Sequence, residues 1–251
     1  MKKRMHIKLS SHRTVKFILF QRSQYLLWRR NKTIQRFARA LPRRLAFSLE
    51  ALASNFNATV SLEALFTRKS VEKLFSEEMT LEYNQMKPYL PAHARTILDI
   101  GAGVGGIDIL LGKHYEQDKP MIYLLDKTEM PAKVYYSLRE KGCFYNSLEL
   151  GRDMLVENGI KPEQIFLQEA TDDNRIISDT KFDLIVSLIS WGFHYPIATY
   201  LDQVYDKLAE GGAVITDVRR HGNGIELLQK KFPKTKIIFE AQKHVRIVAW
   251  K

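Results

Sequence analysis

The sequence predicts an α/β protein in which seven strands form one open, doubly wound sheet, with a terminal antiparallel hairpin and a helical N-terminal extension. Short apolar runs alternate with helical stretches from residue 92 onward. The first five runs are almost continuously apolar, which is typical of parallel strands buried on both faces. Only QKH separates the last two runs, which therefore pair as a hairpin. The predicted strands are TILDI, MIYLLD, IFLQEA, FDLIVSLI, AVITDV, KIIFEA and VRIVAW.

Helices are predicted between these strands and also before the first one. The stretches IDILLGKHY, KVYYSLREKGCFYNSLELGRDMLVENG, ATYLDQVYDKLAEGG and GIELLQKKF are long enough for right-handed crossover helices. Before them, apolar side chains recur at helical spacing until Pro88 and Pro91 end the pattern. We therefore predict a basic amphipathic segment over 1–47, a helical cap over 48–91 and an α/β domain over 92–251.

Positive charge is concentrated at the start of the chain. The protein has 251 residues and a net charge of +11, yet residues 1–50 hold 14 of the 39 Lys and Arg and a single acid, Glu50. The remainder has 25 basic and 27 acidic residues. Four interpretations of residues 1–47 stay open: a helical lid packed on the domain, an amphipathic helix on an anionic membrane, an RNA-contacting arm, or an acid-poor targeting peptide.

Cysteine content and hydropathy indicate the compartment. Cys143 is the single cysteine, so the chain forms no internal disulfide and no cysteine-based zinc or iron-sulfur site. No apolar run approaches the roughly 18 residues of a membrane span. We expect a reducing, cytoplasmic location, with peripheral association at the inner face of a membrane if the basic segment binds lipid.

A glycine-rich turn follows the first predicted strand in ILDIGAGVGG, residues 97–106. Four glycines in six positions let a ligand approach the backbone closely at the start of a helix. The spacing fits the G-x-G-x-x-G pattern of dinucleotide sites as well as D-x-G-x-G-x-G. The turn alone therefore leaves open a nicotinamide cofactor, another nucleoside, or a tight turn that binds nothing.

Carboxylates near three strand ends narrow these alternatives. Asp99 lies two residues before the first glycine, where it can accept hydrogen bonds close to a cationic ligand. Asp126 ends the second strand, where it can bind both hydroxyls of a ribose. The stretch Thr171-Asp172-Asp173 follows the third strand and is placed to bind an adenine amino group.

This combination resembles the class I methyltransferases that use S-adenosylmethionine, over about residues 92–251. The terminal hairpin and KLAEGGAVI at 207–215, which is similar to the family's turn from a helix into its fifth strand, strengthen the resemblance. It implies a Rossmann-like fold and the cofactor S-adenosyl-L-methionine, with one acid each for methionine, ribose and adenine. The cofactor-binding residues that it implies are Asp99, Gly101, Ala102, Gly103, Gly105, Asp126, Lys127, Thr171, Asp172 and Ser187.

The methyl acceptor is expected at the loop after the fourth strand, SLISWGFHYP, because ligands of open α/β sheets lie at the carboxyl ends of strands. His194 can act as the base that takes a proton from an alcohol, or it only hydrogen-bonds backbone within a packed loop. Arg219 follows the fifth strand, where its guanidinium can bind a phosphate or carboxylate of the acceptor or can simply be solvated. The predicted acceptor-binding residues are Trp191, Phe193, Tyr195 and Arg219.

Missing motifs limit the acceptor class. The fourth strand lacks the N/D-P-P-Y/F motif of base-amino methylases and the Pro-Cys nucleophile of carbon-5 methylation, and no acid cluster for a metal follows it. A small molecule or sugar is favoured over nucleic acid. S-x-x-S-W-G-F-H-Y-P is similar to bacterial sugar or glycan-precursor O-methyltransferases, which implies polysaccharide biosynthesis near a membrane. RNA methylation through the basic arm and a non-catalytic cofactor-binding module remain alternatives.

Overall fold

A computed structural model describes residues 5–31, 56–128 and 146–251 of the protein. Its seven strands are β1 Thr96–Ile100, β2 Met121–Asp126, β3 Ile165–Glu169, β4 Phe182–Ser187, β5 Leu208–Arg219, β6 Lys234–Glu240 and β7 His244–Trp250. They form one sheet in the order β3-β2-β1-β4-β5-β7-β6. The neighbours from β3 to β5 are parallel, whereas β7 is antiparallel to both β5 and β6. The predicted doubly wound sheet and its terminal hairpin are confirmed.

Helices cover both faces of the sheet. Those described are α1 His12–Gln21, α2 Leu27–Arg30, α3 Phe56–Phe66, α4 Arg68–Met86, α5 Gly106–His114, α6 Leu148–Glu157, α7 Leu201–Lys207 and α8 Gly224–Lys231. One apolar cluster joins α1, α4, α5 and α6 to one face, and a second joins α7 and α8 to the other. In the described ranges, no helix has the length and apolar character needed to cross a membrane. Cys143 and the first part of the second predicted crossover helix lie outside those ranges.

Residues 5–31 pack against the rest of the protein. Ile7, Leu9 and Ile18 are fully or almost fully buried in the same cluster as α4 and α5. The Ile7 N–H donates to the Ser76 hydroxyl of α4 at 3.1 Å, which fixes the segment's path. This packing agrees with a lid for the described part of the N-terminal segment and leaves a role for its charges open.

The start of β5 differs from the prediction. The glycines of KLAEGGAVI were expected to end a helix, but α7 ends at Lys207 and the strand begins at Leu208. Gly211 has a φ of +75° inside the strand, and the pairing of β5 with β4 shifts register nearby. The glycines therefore form an irregularity within the strand, since a positive φ also suits a bulge.

Candidate active site

The glycine turn connects the end of β1 to the start of α5. Gly101, Gly103 and Gly105 have φ values of +79°, +60° and +71°, which favour glycine. The Gly101 N–H donates to the Leu125 carbonyl at 2.7 Å and ties the turn to β2. A Cβ on Gly101 would lie 1.9 Å from the Ser190 hydroxyl oxygen, in the loop after β4. The turn is thus held between β2 and the predicted acceptor loop.

Asp126 lies where the end of β2 meets this turn. Its Oδ2 accepts a hydrogen bond from the Gly103 N–H and its Oδ1 one from the Lys127 N–H, both at 2.7 Å. Burial raises the pKa of Asp126 to about 6, against the lowering effect of these two N–H groups, so the carboxylate is mostly ionised at neutral pH. Each oxygen has a second lone pair. The carboxylate is therefore fixed and able to accept two more donors, such as a diol.

Two further carboxyls are buried beside the turn. Asp99 on β1 and Asp108 in the first turn of α5 are almost completely inaccessible to solvent. Asp99 Oδ1 and both carboxyl oxygens of Asp108 make no hydrogen bond to a residue outside this pair. Burial, and after it the Asp108 charge, raises the pKa of Asp99 well above its usual value, and burial raises the pKa of Asp108 to about 7. Asp108 was missed in the sequence, although an acid within the apolar run IDILL was a usable signal.

Asn146 is a second residue that sequence reasoning missed. Its side chain is buried, and neither its amide nitrogen nor its oxygen has a hydrogen-bond partner. It lies beside Asp126, whose pKa it lowers. Ser147 follows and caps α6 by accepting from the Leu150 N–H. A buried amide without partners is costly, and a polar ligand on Asp126 would relieve that cost.

The residues predicted at the adenine end lie near the ends of β2 and β3. Lys127 Nζ and Asp172 Oδ1 are 3.5 Å apart, and the Asp172 carboxylate is fully exposed. Thr171 is partly buried next to it. Glu169 ends β3 opposite Asp126 and accepts a hydrogen bond from the Thr128 N–H at 2.6 Å. The structure brings Lys127 and Asp172 together, and their contact with adenine stays a prediction.

Three residues predicted to bind cofactor or acceptor are buried beneath the surface of the site. The Ser187 hydroxyl donates to the Ile100 carbonyl at 2.7 Å and accepts from the Trp191 N–H at 2.9 Å. Trp191 is completely buried in the second apolar cluster, and its indole N–H donates to the Ile197 carbonyl at 2.8 Å. Ala102 is almost buried within the turn. The side chains of Ser187 and Trp191 support the loop from beneath, which gives their predicted ligand contacts no support.

The remaining acceptor residues meet at the loop surface. The Arg219 guanidinium lies over the Phe193 ring, 4.4 Å from its centroid, and its Nε donates to the Phe193 carbonyl. The His194 ring packs edge-on against Phe193, with centroids 5.0 Å apart. Partial burial and then the Arg219 charge lower the pKa of His194, so its imidazole is neutral at pH 7 and can accept a proton. The Tyr195 carbonyl accepts from the Gly192 N–H and closes the loop.

A buried ion pair holds the neighbouring end of β5. Arg246 of β7 donates through Nε and Nη2 to the two carboxylate oxygens of Asp217, each at 2.8 Å, and through Nη1 to Gln85 of α4 at 3.0 Å. His244 Nε2 lies 3.9 Å from the same carboxylate. Charged residues inside the apolar runs AVITDV and VRIVAW were the signal for this pair. It fixes α4 to the sheet edge where the acceptor is expected.

No three His, Cys, Asp or Glu side chains are grouped to hold a metal ion within residues 5–31, 56–128 and 146–251.

Comparisons by sequence and by structure give different results. No family model matches the chain, and no curated protein matches it. An O-methyltransferase family protein from Burkholderia thailandensis has a similar structure, with a TM-score of 0.54 and 10% identity over 94% of this chain and 71% of that chain. The precorrin-6y C5,15-methyltransferase of Geobacter metallireducens GS-15 has a TM-score of 0.49 and 17% identity, over 70% of this chain and 89% of that chain. A 16S rRNA methyltransferase of T. thermophilus, solved with AdoMet and guanosine, has a TM-score of 0.46 and 15% identity, over 70% of this chain and 43% of that chain.

Sequence identities this low are evidence of a shared fold only. The strand order, the terminal hairpin and the superposition on the Burkholderia protein agree with one another. Together they show that this chain has the class I fold of the S-adenosylmethionine-dependent methyltransferases.

Proposed function

We propose that the protein is an S-adenosylmethionine-dependent methyltransferase. The observation that carries this proposal is the Asp126 carboxylate, held by two backbone N–H groups beside a glycine turn with one lone pair left on each oxygen. That geometry fits the vicinal hydroxyls of a ribose. The unpartnered carboxyl oxygens of Asp99 and Asp108 fit a ligand that brings positive charge.

The chain's residues have separate tasks in this proposal. Asp126 holds the ribose, the backbone of Gly101–Gly105 lies against the amino acid part, and Asp99 faces its cationic end. When bound, the cofactor supplies an electrophilic methyl carbon. Ser190 lies close to Gly101, which supports an acceptor loop beside the cofactor's methyl group and an in-line approach of the acceptor.

We assign the acceptor to small hydroxylated molecules, with a sugar or glycan precursor as the first class to test. The neutral imidazole of His194 would take the hydroxyl proton as the acceptor oxygen bonds to the methyl carbon and the carbon–sulfur bond breaks, leaving a neutral thioether. Arg219 is placed to bind a phosphate or carboxylate on the same acceptor, because no hydrogen bond holds its terminal amino groups among the contacts described.

Cofactor binding is tested by calorimetry with purified protein. The wild type is expected to bind S-adenosylmethionine, and Asp126→Asn is expected to bind it about tenfold or more weakly, because one charge-assisted acceptor is lost. Asp153→Asn is the matched control, since Asp153 is exposed on α6. Absence of binding by the folded wild type would refute the proposal.

Methyl transfer is tested with labelled S-adenosylmethionine and fractions of a cell extract, followed by a panel of sugars and phosphorylated alcohols. His194→Gln is expected to lower turnover at saturating acceptor by about 100-fold or more. His93→Gln is the control, because that side chain is exposed before β1 at the opposite edge of the sheet. Binding without any transfer would instead support a non-catalytic cofactor-binding module.

The role of residues 1–47 is a separate proposal. We propose that their positive charge holds the enzyme at an anionic membrane where polysaccharide is assembled. The apolar side chains of Ile7, Leu9 and Ile18 face the protein core, so attachment would depend on charge. Flotation with anionic but not neutral vesicles, abolished by high salt, is expected. Binding to RNA with a steep salt dependence would favour the nucleic-acid alternative.

A further inference from the structure

We propose that Asp108 is a further residue of the cofactor site: Asp99 and Asp108 share one proton, and that proton leaves when the cationic end of S-adenosylmethionine binds. This inference rests on the proposed function. It adds a residue that the glycine-turn motif does not contain. It also predicts how many protons are released for each cofactor molecule bound.

Both carboxyls are buried beside the turn, and they lie close enough for the Asp108 charge to raise the pKa of Asp99. Asp99 lies on β1, in the strand whose end begins the turn, and Asp108 lies in the first turn of the helix that the turn enters. Asp108 Oδ2 would be 3.8 Å from a Cβ on Gly105, which places this carboxyl directly against the turn. Three of the four carboxyl oxygens make no hydrogen bond to a residue outside the pair.

The surrounding elements contribute little to neutralise this pair. α4 presents Phe75 and Met79 to Gly106. α6 presents Leu155 to Gly105. β2 adds a third carboxylate, Asp126, which raises the pKa of Asp99 further.

The cation that follows α1 is already paired. Arg22 Nε lies 2.8 Å from Glu78 Oε1 of α4, and the Arg22 guanidinium lies over the Phe75 ring. Two adjacent carboxyls in such surroundings cannot both ionise at low cost, so they retain a proton between them. A ligand cation reverses this balance, because it stabilises both carboxylates at once.

A second observation points to a ligand at the same turn. The Asn146 amide is buried beside Asp126 with both polar atoms unpartnered. Buried polar atoms that lack partners thus occur at two places beside one turn, in the acidic pair of Asp99 and Asp108 and in an amide near the carboxylate proposed to bind ribose. A nucleoside joined to a cationic amino acid matches this arrangement of charge and hydrogen-bonding groups.

The test counts protons. S-adenosylmethionine is titrated into the full chain at pH 7.5, above the pKa values of Asp108 and Asp126, in two buffers of different ionisation enthalpy, and the difference in heat gives the protons exchanged. We expect about one proton released per ligand bound. 5′-Methylthioadenosine, which has the nucleoside but neither the ammonium nor the sulfonium, is expected to release none.

Variants assign the proton to the pair. Asp108→Asn is expected to release fewer protons than wild type, because the Asp108 charge no longer raises the pKa of Asp99. It is also expected to bind S-adenosylmethionine about tenfold more weakly, with 5′-methylthioadenosine affected less than twofold. Asp153→Asn is expected to behave as wild type. Asp99→Asn is the second test of the pair if Asp108→Asn does not fold, as judged by circular dichroism.

The outcomes separate this inference from the proposed function. Binding of S-adenosylmethionine by the wild type without proton release overturns the shared proton. An unchanged proton count in folded Asp108→Asn overturns the role of Asp108. Absence of cofactor binding by the wild type overturns the proposed function itself.

Discussion

Replacing Asp108 by asparagine should change how the stability of the protein depends on pH. Burial raises the pKa of Asp108 from 3.8 to about 7, and Asp108 is completely inaccessible to solvent. Because the folded state holds the proton more tightly than the unfolded chain, the stabilising effect is complete below pH 3.8 and is lost as pH rises to about 7. Asparagine has nearly the same shape and does not titrate.

The size of the effect follows from the shift. A pKa difference of about 3 units corresponds to about 4 kcal/mol of unfolding free energy, and sharing of the proton with Asp99 makes this an upper value. Asp108→Asn is therefore expected to resemble wild type near pH 4 and to exceed its stability at pH 8, by about 2 to 4 kcal/mol.

Urea denaturation followed by circular dichroism at pH 4, 5, 6, 7 and 8, without ligand, measures this difference. Asp153→Asn controls for the removal of one negative charge from the surface. If the stability curves of wild type and Asp108→Asn run parallel over this range, Asp108 does not titrate in the buried pair and the argument fails.

Three further predictions concern the sheet edge, the turn and the loop. Arg246→Met leaves the buried Asp217 without its guanidinium partner and should lower the unfolding free energy by about 3 to 5 kcal/mol. Arg220→Met, at an exposed pair, should lower it by less than about 1 kcal/mol. Equal losses of unfolding free energy in urea denaturation would contradict this. Gly101→Ala meets a serine side chain and should cost about 2 to 4 kcal/mol, against about 1 for Gly211→Ala, which has open space; thermal melts compare them. The acid limb of kcat/KM against pH should have an apparent pKa below 6.5, because burial and a nearby arginine lower the pKa of His194; a limb above 6.5 would exclude His194 as the base.

The fold was largely predictable because its strands are buried on both faces. Such strands are short apolar runs between turns, and β1 and β2 have the bounds that their sequences predict. β5 was misjudged at its start because a glycine pair suits a helix end as well as a strand irregularity. Local sequence does not distinguish these two outcomes, whereas pairing with β4 does.

The site was predictable only where a motif sets the backbone. The glycines and Asp126 lie together because β1, which the turn follows, and β2, which Asp126 ends, are parallel neighbours in the sheet. Whether a side chain faces a ligand or the core depends on how distant segments pack around it. Trp191 was predicted to bind the acceptor, but this packing puts its side chain in the core. Asp108 and Arg246 were missed because an acid in a helix and a cation in a strand are usually solvated, and only tertiary contacts bury them.

The contacts of the segment around Lys8 affect how the chain is assembled. The Lys8 N–H donates to Asn158 Oδ1 at 2.8 Å, and the Asn158 amide donates back to the Lys8 carbonyl at 3.0 Å, across a sequence separation of 150 residues. On a ribosome, this segment emerges long before its partner does. It can reach its final position only after α6 has emerged, so nascent chains that end before α6 should leave the Ile7 and Leu9 side chains accessible to chaperones.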